Sequence, residues 1–257
     1  MPVATPTSWW RLGEATGQVR ADSGSAGVTQ SDAGATPVDQ STPGLILPHA
    51  ASFNDIDQAL IANDPTALRC GVNVPLTVVS WVKITGRTTV HNIVWKGISV
   101  LGSFEYGQRF NPGFSPTDDR FESLARTTGG LTLTAVADTF GQVPIGTKCM
   151  IALRFSSANG LRISINAGVS DSGLGSGSNI RSGTGNLCIG ADNAASNFTE
   201  GVIGPVGIWI NTELSDADLT TLYASGNGFD PTAPDTGVGA RVLQPSRNFL
   251  QSGIRLG

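Results

Sequence analysis

The chain has 257 residues, of which only 14% are charged, with 33 glycines, 14 prolines and a net charge of −4. That length suits one large all-β domain, and the acidic balance argues against general attraction to phosphate backbones or anionic membranes. Three cysteines at wide spacing, Cys70, Cys149 and Cys188, with no CxxC pair, point to small buried side chains, not to zinc or a disulfide framework.

The opening, Met1 to Pro6, lacks the basic start and apolar stretch of a secretory signal, so the sequence reads as a protein made in the cytoplasm. Ser8 to Leu12 (SWWRL) alternates large apolar and polar positions and predicts a strand, followed by a turn-rich loop from Gly13 to Gly27. Val28 to Pro43 is polar, and short apolar runs follow at Gly44 to Leu47 and Ala51 to Phe53. Leu76 to Thr85 (LTVVSWVKIT) predicts the central strand, with Val79, Trp81 and Lys83 on one face and Ser80, Val82 and Ile84 on the other. His91 to Trp95, Ile98 to Leu101 and Phe104 to Phe110 continue the β pattern, and Asn111 to Asp119 (NPGFSPTDD) reads as a loop.

Hairpins are predicted around Thr127 to Gly130 and around Asn159-Gly160. The Gly/Ser-rich stretch Ser170 to Gly185 offers little apolar area against its ordering entropy and reads as a mobile loop. Strand character returns at Leu187 to Gly190 and Val202 to Ile210. One helix is predicted, with Ser215 as N-cap, Asp218 completing a capping box, Leu219, Leu222 and Tyr223 on one face, and Gly226 as its stop. From Thr236 to Gly257 the chain carries Arg241, Arg247 and Arg255 and no acid, with Phe249 and Leu250 among its apolar residues.

Glycosidases place paired carboxylates about one bond, yet no Glu-x-Asp-x-Glu run occurs, and Asp55 with Asp57 and Asp118 with Asp119 fall in turn-like contexts. His49 and His91 have no nucleophile elbow beside them, and GLGSG at Gly173 to Gly177 lacks the Lys of a phosphate loop. Trp95, Tyr106, Phe110 and Phe114 lie on or beside connections and are candidates for a sugar-stacking platform, with core packing as the competing role of each. The turn Asp22-Ser23-Gly24 supplies one carboxylate, Asp22, as a candidate calcium ligand, whereas calcium takes 6–8 oxygens and an Asx-turn needs only one.

Many short strands with one terminal helix predict an all-β fold, a two-sheet antiparallel β-sandwich or jelly roll with an extended C-terminal tail. SWWRLGEATGQVRADSGSAG, VSWVKITG and LCIGADNAASNFTEGVIGPVGIWINTELSDADLTTLYASGNG together resemble the laminin G-like domains of the concanavalin A-like superfamily. The resemblance implies that the first strand pairs with the last long one, bringing Trp9, Trp10 and Trp209 to one sheet. It departs from the family at Gly204, where many relatives carry an acid, and this weakens a calcium site.

Two units are expected, a sandwich over residues 1–230 and an arm over 231–257 in which Arg241, Arg247, Phe249, Leu250 and Arg255 dock onto a partner. The functional expectation is a non-catalytic virion-surface protein, a capsid decoration or fibre. Its partners would be other virion or scaffold proteins, further copies of itself and glycans, with no nucleic acid and no membrane. The alternative is a glycan-binding lectin domain of a bacterial surface protein, extracellular by a non-Sec route, and the third reading is a glycoside hydrolase of the same fold. No cofactor is expected beyond the candidate calcium.

Overall fold

The computed structural model describes residues 3–14, 19–33, 36–87, 89–98, 104–111, 119–173, 175–192 and 196–233. The predicted arm residues Arg241, Arg247, Phe249, Leu250 and Arg255 lie outside the described residues, as does Phe114. Strands, numbered in chain order, form two antiparallel sheets packed face to face.

The first sheet comprises β1 (Ser8–Trp10), β4 (Asp39–Pro43), β5 (His49–Asn54), β7 (Leu76–Ile84), β12 (Lys148–Ser156), β13 (Gly160–Ile165), β14 (Asp171–Ser172) and β16 (Glu200–Ile210). Its order is β14-β13-β12-β7-β16-β5-β4. The long β16 takes two partners on one edge, β5 along its first half and β1 along its second, where Trp9 pairs with Gly207. The predicted pairing of first and last long strands is therefore present. β7 lies between β12 and β16, central as expected.

The second sheet comprises β2 (Val19–Arg20), β3 (Gln30–Asp32), β6 (Leu60–Ala62), β8 (His91–Gly97), β9 (Phe104–Asn111), β10 (Arg120–Arg126), β11 (Thr132–Val136) and β15 (Leu187–Ile189). Its order is β11-β10-β9-β8-β15-β6-β3-β2.

Val78, Val82 and Ile84 of β7 and Ile151, Leu153 and Phe155 of β12 meet Tyr106, Phe110, Phe121 and Ala125 of the second sheet in the main core. Gln108 of β9 bolts the sheets together: its Oε1 accepts from Ser80 Oγ at 2.8 Å, and its Nε2 donates to Val78 O at 3.0 Å and Ile151 O at 3.3 Å. A satisfied buried network of this kind specifies one packing. A second buried link joins Lys96 to Glu105 at 2.8 Å; Lys96 Nζ also donates to Gly185 O, and Glu105 Oε2 accepts from Cys70 N. Burial raises the Glu105 carboxyl above its usual value despite this cation. All three cysteines are buried.

The other face of β7 is buried too. Val79 and Trp81 join Trp9, Met150, Ala152 and Trp209 in a second core closed by Leu214, Leu219 and Leu222. This is why β7 is an almost unbroken apolar run, the pattern of a strand covered on both faces. The cover is the helix α1 (Asp216–Tyr223), whose Ser215 and Asp218 make the predicted capping box. Tyr223 stacks on Trp81 at 5.7 Å between centroids, and Lys148 Nζ sits 5.5 Å from the same ring. Burial holds that ammonium below its ordinary value. The helix stops earlier than expected: Ala224, not Gly226, takes the left-handed cap position at φ 45°.

Ser170 to Gly185 departs from the expected mobile loop. It begins with β14, Gly173 N donates to Leu161 O at 2.8 Å, Gly177 N donates to Ser157 O at 2.6 Å, and Ile180 is buried. Backbone hydrogen bonds order a segment whose side chains offer little.

Candidate functional site

Register decides which aromatics face outward. Val94 pairs with Gln108 and Lys96 with Tyr106, while irregularities interrupt the ladder at Asn92/Val94 and Lys96/Gly97. Tyr106 and Phe110 therefore point into the core instead of forming a sugar platform. Tyr106 Oη donates to Leu68 O at 3.0 Å, and Phe110 stacks on His91 and meets Phe121 edge-on. Trp95 does lie on the outer face, but it is closed in with Phe104 and Leu124, only 6% exposed. A Cβ at Gly107 would fall 2.5 Å from the Trp95 ring, so the absent side chain is what lets the indole lie flat on the sheet.

Asp22 is fully used within the protein. Its Oδ1 accepts from Trp9 N at 2.8 Å and Gly24 N at 2.7 Å, and its Oδ2 from Ser8 Oγ at 2.8 Å and Val28 N at 2.7 Å. Four donors fill the usual acceptor sites of a carboxylate, and through them Asp22 pins the β2–β3 connection to β1. Gly204 sits within the second core: a Cβ there would lie 3.3 Å from Trp81 Cβ and 3.4 Å from Leu45 Cβ. An acid at that position would be buried among apolar groups. No cluster of three or more His, Cys, Asp or Glu suited to a metal occurs among the described residues.

The acids of the turns have local partners. Asp57 accepts from Thr36 Oγ1 and Asn54 Nδ2, and these bonds, that from Asn54 foremost, lower its pKa. Asp55 accepts from Thr89 Oγ1 at 3.0 Å. Asp119 is buried with Arg87 Nε at 2.9 Å.

A cleft opens at the β2–β3–β6 end of the second sheet. Val19, Ser31 and Ile61 are cross-strand neighbours and supply its sheet wall. Val28, Thr29, Asn63 and Pro65 complete it, with Gln30 and Ala62 on the core side, around a volume of about 380 Å³. Thr29, Ser31 and Asn63 are exposed, whereas Gln30 is only 1% exposed and neither end of its amide has a hydrogen-bond partner. Among the described residues, no Lys, Arg, His, Asp or Glu lines the cleft. Beneath the same strands the Arg20 guanidinium is paired with Asp32 at 3.1 Å, and burial draws it below its ordinary value. The wall is thus uncharged, half hydroxyl and amide, half aliphatic. None of these residues stands out as a site in the sequence, because the cleft joins short segments far apart in the chain with no motif among them.

No family model matches the chain, and no curated protein matches it in sequence. Solved structures do match. The receptor-binding domain of botulinum neurotoxin mosaic serotype C/D superposes with a TM-score of 0.63 at 12% identity, over 86% of this chain and 51% of the other. Domain 4 of the GH43 extracellular arabinanase of Geobacillus stearothermophilus, in complex with arabinotriose, gives 0.61 at 15% identity, over 85% of this chain and 98% of that domain. Trypanosoma rangeli sialidase, in complex with sialic acid, gives 0.62 at 14% identity, over 89% of this chain and 34% of the enzyme. The shared fold is a two-sheet antiparallel β-sandwich of the jelly-roll kind. This chain spans about half of the toxin fragment, a third of the sialidase and nearly all of the arabinanase domain.

Proposed function

We propose that this chain is a carbohydrate-binding module without catalysis of its own, and that it recognises glycans on the outer face of the second sheet. One observation carries this reading: the first sheet is sealed on both faces, by the main core and by the second core under α1, while the second sheet bears an uncharged cleft on its outer side. Recognition sites are concave and place a few polar groups among apolar walls. The arabinanase domain adds support, since a whole domain of similar fold and extent is found with a saccharide. Fold alone does not carry function, so the face and its cleft bear the weight.

The neighbours favour the lectin alternative over virion-surface attachment, the leading expectation from the sequence. The laminin G-like reading is kept as the finer form of this proposal, supported by the β1–β16 pairing and by the capped helix that follows β16. The test is a glycan array probed with the full chain, carrying neutral and acidic saccharides. Saturable binding to a defined group of glycans is the expected result, and an array without signal at high protein concentration would overturn the proposal.

A further inference from the structure

The seal over the outer face of the first sheet stops at its end row, where Lys83 of β7 lies directly opposite Lys148 of β12. Trp81, two positions before Lys83 and so on the same face, lies 5.5 Å from Lys148 Nζ. Both lysines therefore project outward, and both are half-buried. Cβ atoms of such a cross-strand pair stand about 4.5–5.5 Å apart, close enough for one small group to reach both ammonium ions.

The chain has three lysines and 20 acidic residues. Lys96 is buried against Glu105, whereas Lys83 and Lys148 form no ion pair among the described residues. The acid on the three strands β12, β7 and β16 is Glu200, diagonal to Lys83, and its carboxylate rests on Gly86 instead. Carbonyls alone hold Lys148: Nζ donates to Leu45 O at 3.1 Å and to Gly226 O at 2.6 Å, which uses two of its three N–H groups. The third, and those of Lys83, have no acceptor among the described residues. Burial holds the Lys148 ammonium below its ordinary value, with no opposite charge to offset the lost solvation. Like charges directly opposite on a sheet are destabilising, so this row lacks a counter-charge.

We infer that Lys83 and Lys148 form an anion site, in which one sulfate, phosphate or carboxylate group bridges the two ammonium ions. The two carbonyls fix Lys148 Nζ beside the Trp81 ring, so one half of the site is held in place, and Lys83 closes on the ligand from the neighbouring strand. Hydrogen bonds between ionised partners are about twice as strong as neutral ones, and a half-buried pair is screened less by salt than an exposed one. The site stands apart from the glycan reading, on the other sheet from the cleft.

The experiment titrates the full chain calorimetrically with inorganic sulfate, inorganic phosphate and glucuronate, at an ionic strength held constant with sodium chloride. Saturable binding of at least one anion is expected. Lys83→Gln should weaken it roughly tenfold, the worth of one hydrogen bond between charged groups. Lys83→Glu should abolish it and raise the ligand-free melting temperature, because a carboxylate then faces Lys148. Sulfate or phosphate binding that is lost in Lys83→Glu assigns the site to those ions, and glucuronate binding lost in the same variant extends it to carboxylated sugars. Anion binding unchanged in Lys83→Glu would overturn the inference by placing the site elsewhere. A lower melting temperature in that variant would show that Lys83 already meets an acid in the protein, and would overturn it likewise. Silence with all three anions overturns it too and leaves the proposed glycan recognition standing, since the array tests that separately.

Discussion

The outer faces of the two sheets are built on opposite plans. On the first sheet three tryptophans, Trp9, Trp81 and Trp209, are covered by α1 and the Leu45 to Leu47 segment, making a second hydrophobic core. On the second sheet the outer apolar cluster among the described residues is Trp95, Phe104 and Leu124, and beside it run polar pairs such as Arg109–Glu122 at 2.6 Å. The two plans divide burial unevenly between the sheets. A sheet covered twice gains burial and has no free surface, whereas a sheet covered once keeps a face for a ligand.

That contrast can be broken by substitution, beginning with the sealed side. Trp209→Ala removes a fully buried indole that also donates to Ala4 O, and should lower unfolding free energy by about 3–5 kcal/mol, measured by urea denaturation. A loss under 1 kcal/mol would show that the second core is loosely packed. Within the second sheet, Lys96→Met strands Glu105 in the interior and should be destabilising by about 3–5 kcal/mol, with most of the loss recovered in the double variant Lys96→Met/Glu105→Leu.

The same pair predicts a pH dependence. Because burial raises the folded pKa of Glu105, the folded state holds this proton more tightly than the unfolded chain. The stability that this group contributes is therefore full below its ordinary value and is lost as pH rises through the raised one. Lys96→Met removes the cation that opposes the shift, so its deficit should be smallest in acid and grow toward neutral pH, as read from urea midpoints in the two buffers.

Smaller effects sharpen the comparison further. Ser215→Ala deletes the N-cap of the covering helix and should remove about 1 kcal/mol, with the melting temperature as readout. Arg109→Ala, on the open face, should change stability by less than about 1 kcal/mol, since a partly exposed ion pair contributes little. An Arg109 effect as large as that of Trp209 would overturn the division between the two faces.

Much of the sealed side was legible in the sequence. The faces of β7 and the capping box of α1 follow from local periodicity and cap chemistry, which act within a few residues, and the β1–β16 pairing was implied by the laminin G-like resemblance. The open side was not. Tyr106 and Phe110 were candidates because they lie on or beside connections, but a pairing that carries irregularities near Ile93 and Glu105 turns both into the core. One extra residue in a strand exchanges its two faces, and the sequence carries no mark of such a bulge. Asp22 posed the same difficulty: a turn acid reads alike whether its oxygens take a metal or four protein donors.

The sequence by itself determined the all-β class, the central strand and the capped helix, because glycine-rich turns, β-branched runs and short-range capping are properties of neighbours in the chain. Only the tertiary structure decided which faces stay open and which side chains line the cleft. Val19, Gln30, Ile61 and Asn63 come together through pairing of short strands across the sheet, and that pairing is set by the burial of the whole sandwich, not by any one segment.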